Sequence, residues 1–483
     1  MSKTNPPRAG IAPLVTYASI ALLLAGCAVG PDYAQPQLEL PQAWAARTAD
    51  AATPAAAPAD RAGERWWTLY ADPLLDRLVD EALAHNADAR VAAARVQEAQ
   101  ALAGIAESDR YPTLSAGLSG NRTQSSLKGA MPRPADLPRI QNSYRATLDV
   151  AWEVDLWGKY RRADEAARAD LFAAESARDA VRLALTAQVA QQYFALLAAD
   201  AQAAVAQRTL AGRDENLALY RLRVDAGLGS DYDLRQIEAD AADARARLAD
   251  LTQARDRAES ALALLLGRSP RAVLEDAPER GTPGALPALQ VPAGLPSDLL
   301  LRRPDLQEAE HRLIAANARI GAARAQYFPS VGLTAYLGGE STAFSDLFTG
   351  PAGIFQFAAA ITQPIWNAGR IGFNVAAAEA RREQALAQYR QAVAAAFKDV
   401  RDALAAQRTL RDKLQAETTR AAALEKALQQ VRLRHDAGIA SRLEVLDVER
   451  NLLAVELARI DSERAARAAL ADLFKALGGG WPG

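Results

Sequence analysis

The sequence predicts an α+β membrane protein assembled from two structural repeats. Three observations carry this. Residues 220–267 and 431–478 align without a gap, 211 residues apart, with 14 of 48 positions identical. Four segments alternate apolar and polar side chains with the period of a β-strand. Two stretches of about 68 residues, 159–226 and 369–437, run helical without a single proline. Self-similarity on this scale marks one supersecondary unit built twice.

The N-terminus reads as a targeting segment. Lys3 and Arg8 are followed by a short apolar run, Ile11 to Ala25, which is too short and wrongly flanked to span a membrane. Leu24-Ala25-Gly26-Cys27 has small residues before the only cysteine of the chain. This pattern resembles a lipoprotein processing site, with residues 1–26 removed and a lipid carried on Cys27. An ordinary secretory signal with an incidental cysteine is the alternative. One cysteine allows neither an internal disulfide nor a thiolate metal site. Residues 27–65 then form a Pro/Ala-rich, lipid-anchored extended segment.

The first repeat covers 66–267. It is expected to hold a helix over 73–110, strands near 111–124 and 142–157, a long helix near 159–226 and a return helix near 231–267. Residues 268–304, rich in proline, join it to the second repeat, 305–478. That repeat has the same order: a helix, strands near 328–340 and 353–367, a long helix near 369–437 and a helix near 441–477. A tail, 479–483, follows. Tyr111-Pro112 and Phe328-Pro329 stop the first helix of each repeat, because proline disfavours helix in the residue before it. Pro112 and Pro329 align at an offset of 217, whereas later elements align at 211. Six extra residues therefore lie in the loop between the strands of the first repeat.

The strands are diagnostic. Tyr144, Ala146, Leu148, Val150, Trp152, Val154 and Leu156 form one face, opposite a face bearing Arg145, Asp149, Glu153 and Asp155. The second repeat keeps the phase with Val331, Leu333 and Ala335, then Phe355, Phe357 and Ile361. Tyr111, Trp152, Trp157, Phe328 and Trp366 sit at strand ends, as an interfacial aromatic belt would. Periodicity alone also fits a half-buried sheet in a soluble protein. Strand length and the lipoprotein signal favour lipid. Four strands cannot close a transmembrane barrel, and open edges are not viable in lipid, so several chains must share one barrel. Two chains would give eight strands and three would give twelve.

Composition is half hydrophobic, much of it alanine, and only 6% aromatic. This suits long, closely packed helices. A net charge of −2 gives no footprint for nucleic acid. His85, His311 and His435 are scattered with no metal spacing, and no phosphate loop or nucleophile elbow is present. No catalytic constellation and no cofactor beyond the Cys27 lipid is expected.

The segment after the second long helix carries the candidate functional site. Gly438 can stop the incoming helix. Ser441 and Glu444 have the spacing of a capping box that starts the return helix. Leu443, Asp447 and Arg450 then share one helical side. Acids near a helix N-terminus also simply answer its dipole. Asp233 in the first copy aligns with Glu444 and is a candidate partner across the helix pair.

Several segments resemble the outer-membrane efflux factor family, the TolC-like ducts, and most closely their lipidated OprM/NodT subgroup. They are Cys27 with VGPDYAQP, WWTLYADPLLDRLVDEAL (66–83), WEVDLWGKYR (152–161), residues 294–334, QPIWNAGR (363–370), AGIASRLEVLDVERNL (437–452) and KALGGGW (475–481). The resemblance implies a homotrimer with a shared 12-stranded β-barrel in the outer membrane and a 12-helix periplasmic α-barrel. It implies a periplasmic adaptor and an inner-membrane pump of the RND type as partners. It also places Leu443, Asp447 and Arg450 at the periplasmic gate, with Glu444 and Asp447 as ring acids. An arginine found two residues after the glycine in that pattern is replaced by Ala440, and Arg442 is the candidate substitute. The expected function is an exit duct for drugs or other small molecules. A duct for type I protein secretion and a poreless periplasmic scaffold are the alternatives.

Overall fold

The computed structural model describes residues 28–38, 65–128, 138–287 and 302–479. A 3₁₀ turn, Trp66–Tyr70, leads into α1 (Pro73–His85) and α2 (Ala87–Ser108). The strands β1 (Thr113–Gln124) and β2 (Ile140–Val154) follow, then α3 (Lys159–Asp225), α4 (Asp231–Leu265) and a short α5 (Pro270–Glu275). The second repeat comprises α6 (Pro304–Ala325), β3 (Ser330–Ser341), β4 (Gly353–Thr362), α7 (Arg370–Asp436) and α8 (Arg442–Ala476). The repeat holds at the level of elements. Both ends of α2 and β1 recur 217 residues on in α6 and β3, and both ends of α3 and α4 recur 211 residues on in α7 and α8.

Three differences from the sequence reading have local causes. The helix expected over 73–110 breaks at Asn86, whose side chain accepts from Ala89 N at 3.1 Å and so caps α2. The strand expected to reach Trp157 ends at Val154, because the chain turns at 155–158 through Gly158 at φ +80°. The proline-rich joining segment carries α5, started by Ser269, whose hydroxyl accepts from Ala272 N at 3.2 Å.

The described residues form two compact units. The first takes in the chain up to Gln37, Gln97–Ala173 and Ala309–Tyr389. It holds one antiparallel sheet in the order β1-β2-β3-β4. Thr113 pairs with Ala151 in the first hairpin and Ser330 with Thr362 in the second, which is one register repeated. The pairing of β2 with β3, from Tyr144↔Ser341 to Val154↔Val331, joins the two repeats. Beside the sheet, α6 packs against α3 and α7. Ile320 and Ala323 pack on Ala378 of α7, and Arg319 pairs with Asp170 of α3.

The second unit takes in Leu38–Val96, Ala174–Glu308 and Arg390–Gly483. Its largest core gathers Trp66, Trp67 and Tyr70 with Leu75, Phe194 and Phe474, among others. Trp66 stacks on Phe474 at 5.1 Å, and Tyr70 donates to Arg467 O at 2.6 Å. Asp72 caps α1 by accepting from Leu74 N at 3.0 Å, and its other oxygen accepts from buried Tyr193 at 2.7 Å. Burial, with that carboxylate beside it, pushes the Tyr193 hydroxyl well above its ordinary range.

α3 and α7 each run 67 residues, about 100 Å at 1.5 Å per residue. Alanine is the commonest residue at their buried positions, which lets helices approach closely where it occurs. No described helix is long and apolar enough to cross a membrane.

Asp72→Ala should lower stability by about 2 kcal/mol, about 1 for the lost cap and about 1 for the orphaned Tyr193 hydroxyl. Tyr193→Phe should cost about 1 kcal/mol or less. Thermal unfolding of detergent-solubilised protein reads both.

Candidate functional site

Two surfaces and one helix junction concentrate the unusual chemistry. The first surface is the sheet. On one face lie Leu114, Leu118, Leu148, Leu337, Phe355 and Ile361, and on the other Ser115, Arg145, Asp149, Tyr336 and Glu340. The apolar face is bare: Leu114 is 71% exposed, Phe355 86% and Ile361 74%. An uncovered apolar patch of this size marks an interaction surface. The polar face is internally paired. Arg145 lies 3.6 Å from Glu340 and over the Tyr336 ring, and Thr147 donates to Asp149 at 2.8 Å.

Aromatic side chains bound this face at both ends. At one end Trp157 stacks on Phe328 at 4.7 Å and donates to Pro329 O at 2.8 Å, while Trp152 donates to Arg110 O at 3.0 Å. Tyr111 and Trp366 are exposed there. All five belt residues read from the sequence therefore lie at a single end of the strands. The sequence reading missed the other end, where Tyr144 meets Phe344 edge-to-face at 5.6 Å and Phe348 is exposed. The signal was Phe344 and Phe348 in the β3–β4 loop, a loop with no strand period to draw attention. Tyr144 and Trp152 are eight residues apart on β2, about 26 Å along the strand.

The second surface is the groove that holds the N-terminal segment. Cys27 lies outside the described residues. Ala28, which follows it, lies against Gly158, where an added Cβ would come within 3.2 Å of it. Val29 N donates to Trp157 O at 3.1 Å. Gly30 crosses directly over Gly321 of α6, so close that a Cβ on either glycine would collide with the other segment. Asn317 donates to Pro31 O at 2.9 Å, Arg162 to Asp32 at 2.6 Å, and Tyr33 donates to Glu310 at 3.0 Å. This strap spans both repeats, touching Arg162 in the first and Glu310, Asn317 and Gly321 in the second.

The helix junction lies in the second unit. Gly438 closes α7 with the hydrogen bonds of a Schellman turn, Gly438 N to His435 O and Ile439 N to Arg434 O. Ser441 and Glu444 form the reciprocal capping box at the start of α8. The hydrogen bonds from Ser441 hold the Glu444 carboxyl below its ordinary range. Leu443, Glu444 and Asp447 are all exposed, and Asp447 accepts from Asn451 at 3.3 Å.

The remaining sequence-predicted residues pair differently from expectation. Asp233 does not meet Glu444. It accepts from Tyr220 at 2.9 Å, and burial together with that carboxylate raises the Tyr220 hydroxyl above its usual range. Arg450 pairs with Asp240 of α4, whose carboxylate also lies 3.1 Å from Arg213 of α3. The hydrogen bond to Asp240 holds Arg450 still more firmly charged. Arg442 is half-buried and its Nε has no hydrogen-bond partner. It lines a cavity of about 210 Å³ with Arg213, Asp240, Arg432, Leu446 and Glu449. Arg432 and Glu449 pair at 3.0 Å.

Asp240 and Arg213 were missed. Their signal was an acid placed on the buried stripe of α4, between Ile237 and Ala244, where a charge must find a partner. Among the described residues no three His, Cys, Asp or Glu side chains gather as a metal site.

A two-faced sheet with a bare apolar side, bounded by aromatics and continued by long helices, defines an outer-membrane β-structure with a helical extension. Residues 78–268 and 295–479 match the family model for the outer membrane efflux protein, and the chain belongs to that family. It is an outer-membrane efflux channel, a transport component rather than a member of an enzyme family. It is 38% identical to the probable outer membrane lipoprotein SilC of Salmonella typhimurium, over 96% of this chain and 98% of SilC. It is 36% identical to the outer membrane protein OprJ of Pseudomonas aeruginosa, over 96% and 95%. Among solved structures it matches CusC with TM-score 0.81 at 34% identity, covering 94% of this chain and all of that one. It matches the outer-membrane channel OprN with TM-score 0.82 at 30% identity, covering 95% and 100%.

Asp240→Ala leaves Arg213 buried without its partner and should cost about 3–5 kcal/mol. Arg450→Ala, at a half-exposed arginine, should cost about 1 kcal/mol or less. Hydrogen exchange of α4 amides separates the two. Because the Glu444 carboxyl is lowered in the folded chain, its capping contribution is present above the ordinary glutamate range and lost as pH falls through the lowered value. Exchange in the first turn of α8, corrected for intrinsic rate, should rise over that acid window. Glu444→Gln should flatten the dependence while keeping a capping box.

Proposed function

We propose that three copies of this chain close one 12-stranded β-barrel in the outer membrane and one 12-helix tunnel in the periplasm. The duct carries drugs or other small molecules outward from an inner-membrane pump of the RND type through a periplasmic adaptor. The single observation that carries the reading is the sheet of the first unit. Its apolar face is uncovered and its two edge strands, β1 and β4, lack a second neighbour among the described residues. In lipid neither is tolerable alone, and a closed ring of copies satisfies both.

The lipid on Cys27 completes the attachment. The strap holds Ala28 beside Gly158 and Trp157, at the aromatic end where the strands give way to the long helices. The acyl chains thus enter the membrane at the level of Trp157, Phe328 and Trp366. Small-molecule export is favoured over protein secretion by the relatives. A toluene efflux pump outer membrane protein of Pseudomonas putida is 36% identical over 95% of this chain.

The gate lies at the α7–α8 turn. Leu443, Glu444 and Asp447 project from the first turns of α8, where copies around a ring would bring like carboxylates together and favour cations. Arg450 is the releasable latch. It is half-exposed, and Asp240 keeps Arg213 when Arg450 leaves. Arg442 supplies a half-buried positive charge beside this latch rather than a link in it.

Single-channel conductance in planar bilayers tests the gate. Asp447→Ala combined with Arg450→Ala should raise conductance several-fold over the unsubstituted protein. An unchanged conductance counts against these residues as the constriction.

A further inference from the structure

Four helices of the second unit, α3, α4, α7 and α8, surround the cavity of about 210 Å³ beside the Arg450–Asp240 pair. The space is far larger than one water needs. Four arginines line it: Arg208 and Arg213 of α3, Arg432 of α7 and Arg442 of α8. Asp240, Glu449 and Glu456 line it as well. A charge held partly out of water needs a partner.

Most of these groups are already engaged. Arg432 holds Glu449 at 3.0 Å. Asp240 is shared by buried Arg213, 3.1 Å away, and by Arg450, which does not itself line the cavity. Arg442 differs. Among the described residues its half-buried side chain has no ion pair and no hydrogen bond, and its Nε is closed off from solvent. Glu456 lies fourteen residues further along α8, about 21 Å, too far to answer it. With Arg450 counted, five guanidinium groups meet three carboxylates, so this junction carries an excess of positive charge.

The repeat gives a second, independent observation. The offset of 211 matches Arg432 and Glu449 with Arg221 and Glu238, and that pair also forms, at 3.0 Å. The ion pair that ties long helix to return helix is therefore common to both copies. The other three arginines are not. Arg208, Arg213 and Arg442 are matched by Thr419, Leu424 and Asp231. The pairing of the helices does not require them, and they gather on one cavity.

Guanidinium forks fit the oxygens of a compact oxyanion and can bind it bidentately. We propose that this cavity binds a small free oxyanion of the phosphate class, anchored by Arg442. The anion supplies the partner that Arg442 lacks, and Arg213 and Arg432 add attraction from the same lining. Gly212 leaves it room, because a Cβ added there would meet no atom within 4 Å. Occupancy ties the start of α8 to α3 and α7 beside the latch. The site goes beyond the duct reading and does not rest on it, because binding needs no open channel.

Equilibrium dialysis of the full-length, detergent-solubilised protein against radiolabelled inorganic phosphate, at constant ionic strength in chloride, tests the site. One phosphate per chain should bind saturably. Arg442→Gln should weaken binding about ten-fold or more, the loss of one charge-assisted pair. Arg235→Gln removes the same charge near the start of α4, where Arg235 is exposed, pairs with Asp231 and Glu238, and does not line the cavity. Its affinity should stay within about two-fold of the unsubstituted protein, since salt screens an exposed charge. Gly212→Glu puts a carboxylate into the space the anion would take and should weaken binding about ten-fold or more. It replaces glycine by a better helix former in α3, so the fold should hold even if Arg442→Gln unfolds the chain. Saturable binding that survives both cavity substitutions places phosphate elsewhere and overturns the proposal. An equal loss in Arg235→Gln marks nonspecific attraction to positive charge and overturns it too, as does the absence of saturable binding in the unsubstituted protein.

Discussion

Every peptide group placed in lipid must find its hydrogen bond within protein, and this requirement governs the first unit. Its sheet of four strands meets the requirement internally at three ladders and, among the described residues, leaves it open at two edges. Each unsatisfied group at an edge would cost several kcal/mol in hydrocarbon. Among the described residues no further strand pairs with either edge. The duplicated sequence turns this into a design rule. One hairpin pairs with its own copy through β2 and β3, and in the proposed ring the same geometry would pair chain with chain. The apolar face then needs no covering helix, because lipid covers it. In the proposed tube the long helices that leave the strands would need small contact surfaces, because each would be approached by neighbours on both sides.

At the α7–α8 turn the repeat stops being a repeat in its chemistry. Asp240 in the first copy aligns with Asn451 in the second, so only one copy places a buried acid on its return helix. A buried ion pair is weak evidence for stability, since desolvation offsets much of the attraction, but it fixes geometry and is expensive to break from one side. Here the cost is divided. Arg213 and Asp240 are both buried and remain together, while Arg450 reaches in from a half-exposed position and can return to water. A contact of that kind holds a helix without committing it. Glu444, tied to Ser441 at the helix start, is by contrast a fixed charge whose role begins with the cap and extends outward only if copies face one another.

Period-two alternation located the strands and the offset of 217 located their partners, because a strand with lipid on one side and polar surroundings on the other has no freedom in its pattern. The capping box was legible for the same reason: its two residues satisfy each other across three positions and need nothing from elsewhere in the fold. What the sequence did not disclose depends on long-range contacts. Asp240 and Arg213 meet only because α3 and α4 fold back on each other, and Tyr220 takes Asp233 before any helix from the second repeat can reach it. The second aromatic end was hidden for a different reason. Phe344 and Phe348 lie in a loop, and only the pairing of β2 with β3 brings Tyr144 to that loop.

The strap shows why the seam between the two repeats and its counterpart at the open edges do not present identical surfaces. It binds where repeat one meets repeat two in the same chain, using Arg162 from one side and Glu310 and Asn317 from the other. The equivalents of these three residues are Phe373, Ala93 and Gln100, which offer neither the cation nor the carboxylate that Asp32 and Tyr33 require. A chain has one N-terminus, so only one seam can carry it, and the residues at the other are uncharged. Gly321 and Gly104 record the same choice in a single position. One glycine is kept small by the backbone of the strap crossing over it, and the other faces open space with an exposed phenylalanine at the matching position of the opposite edge. Duplication repeats the geometry of the sheet and its helices, and the divergence of a few side chains makes the edge the chain closes itself chemically different from the edges left open among the described residues.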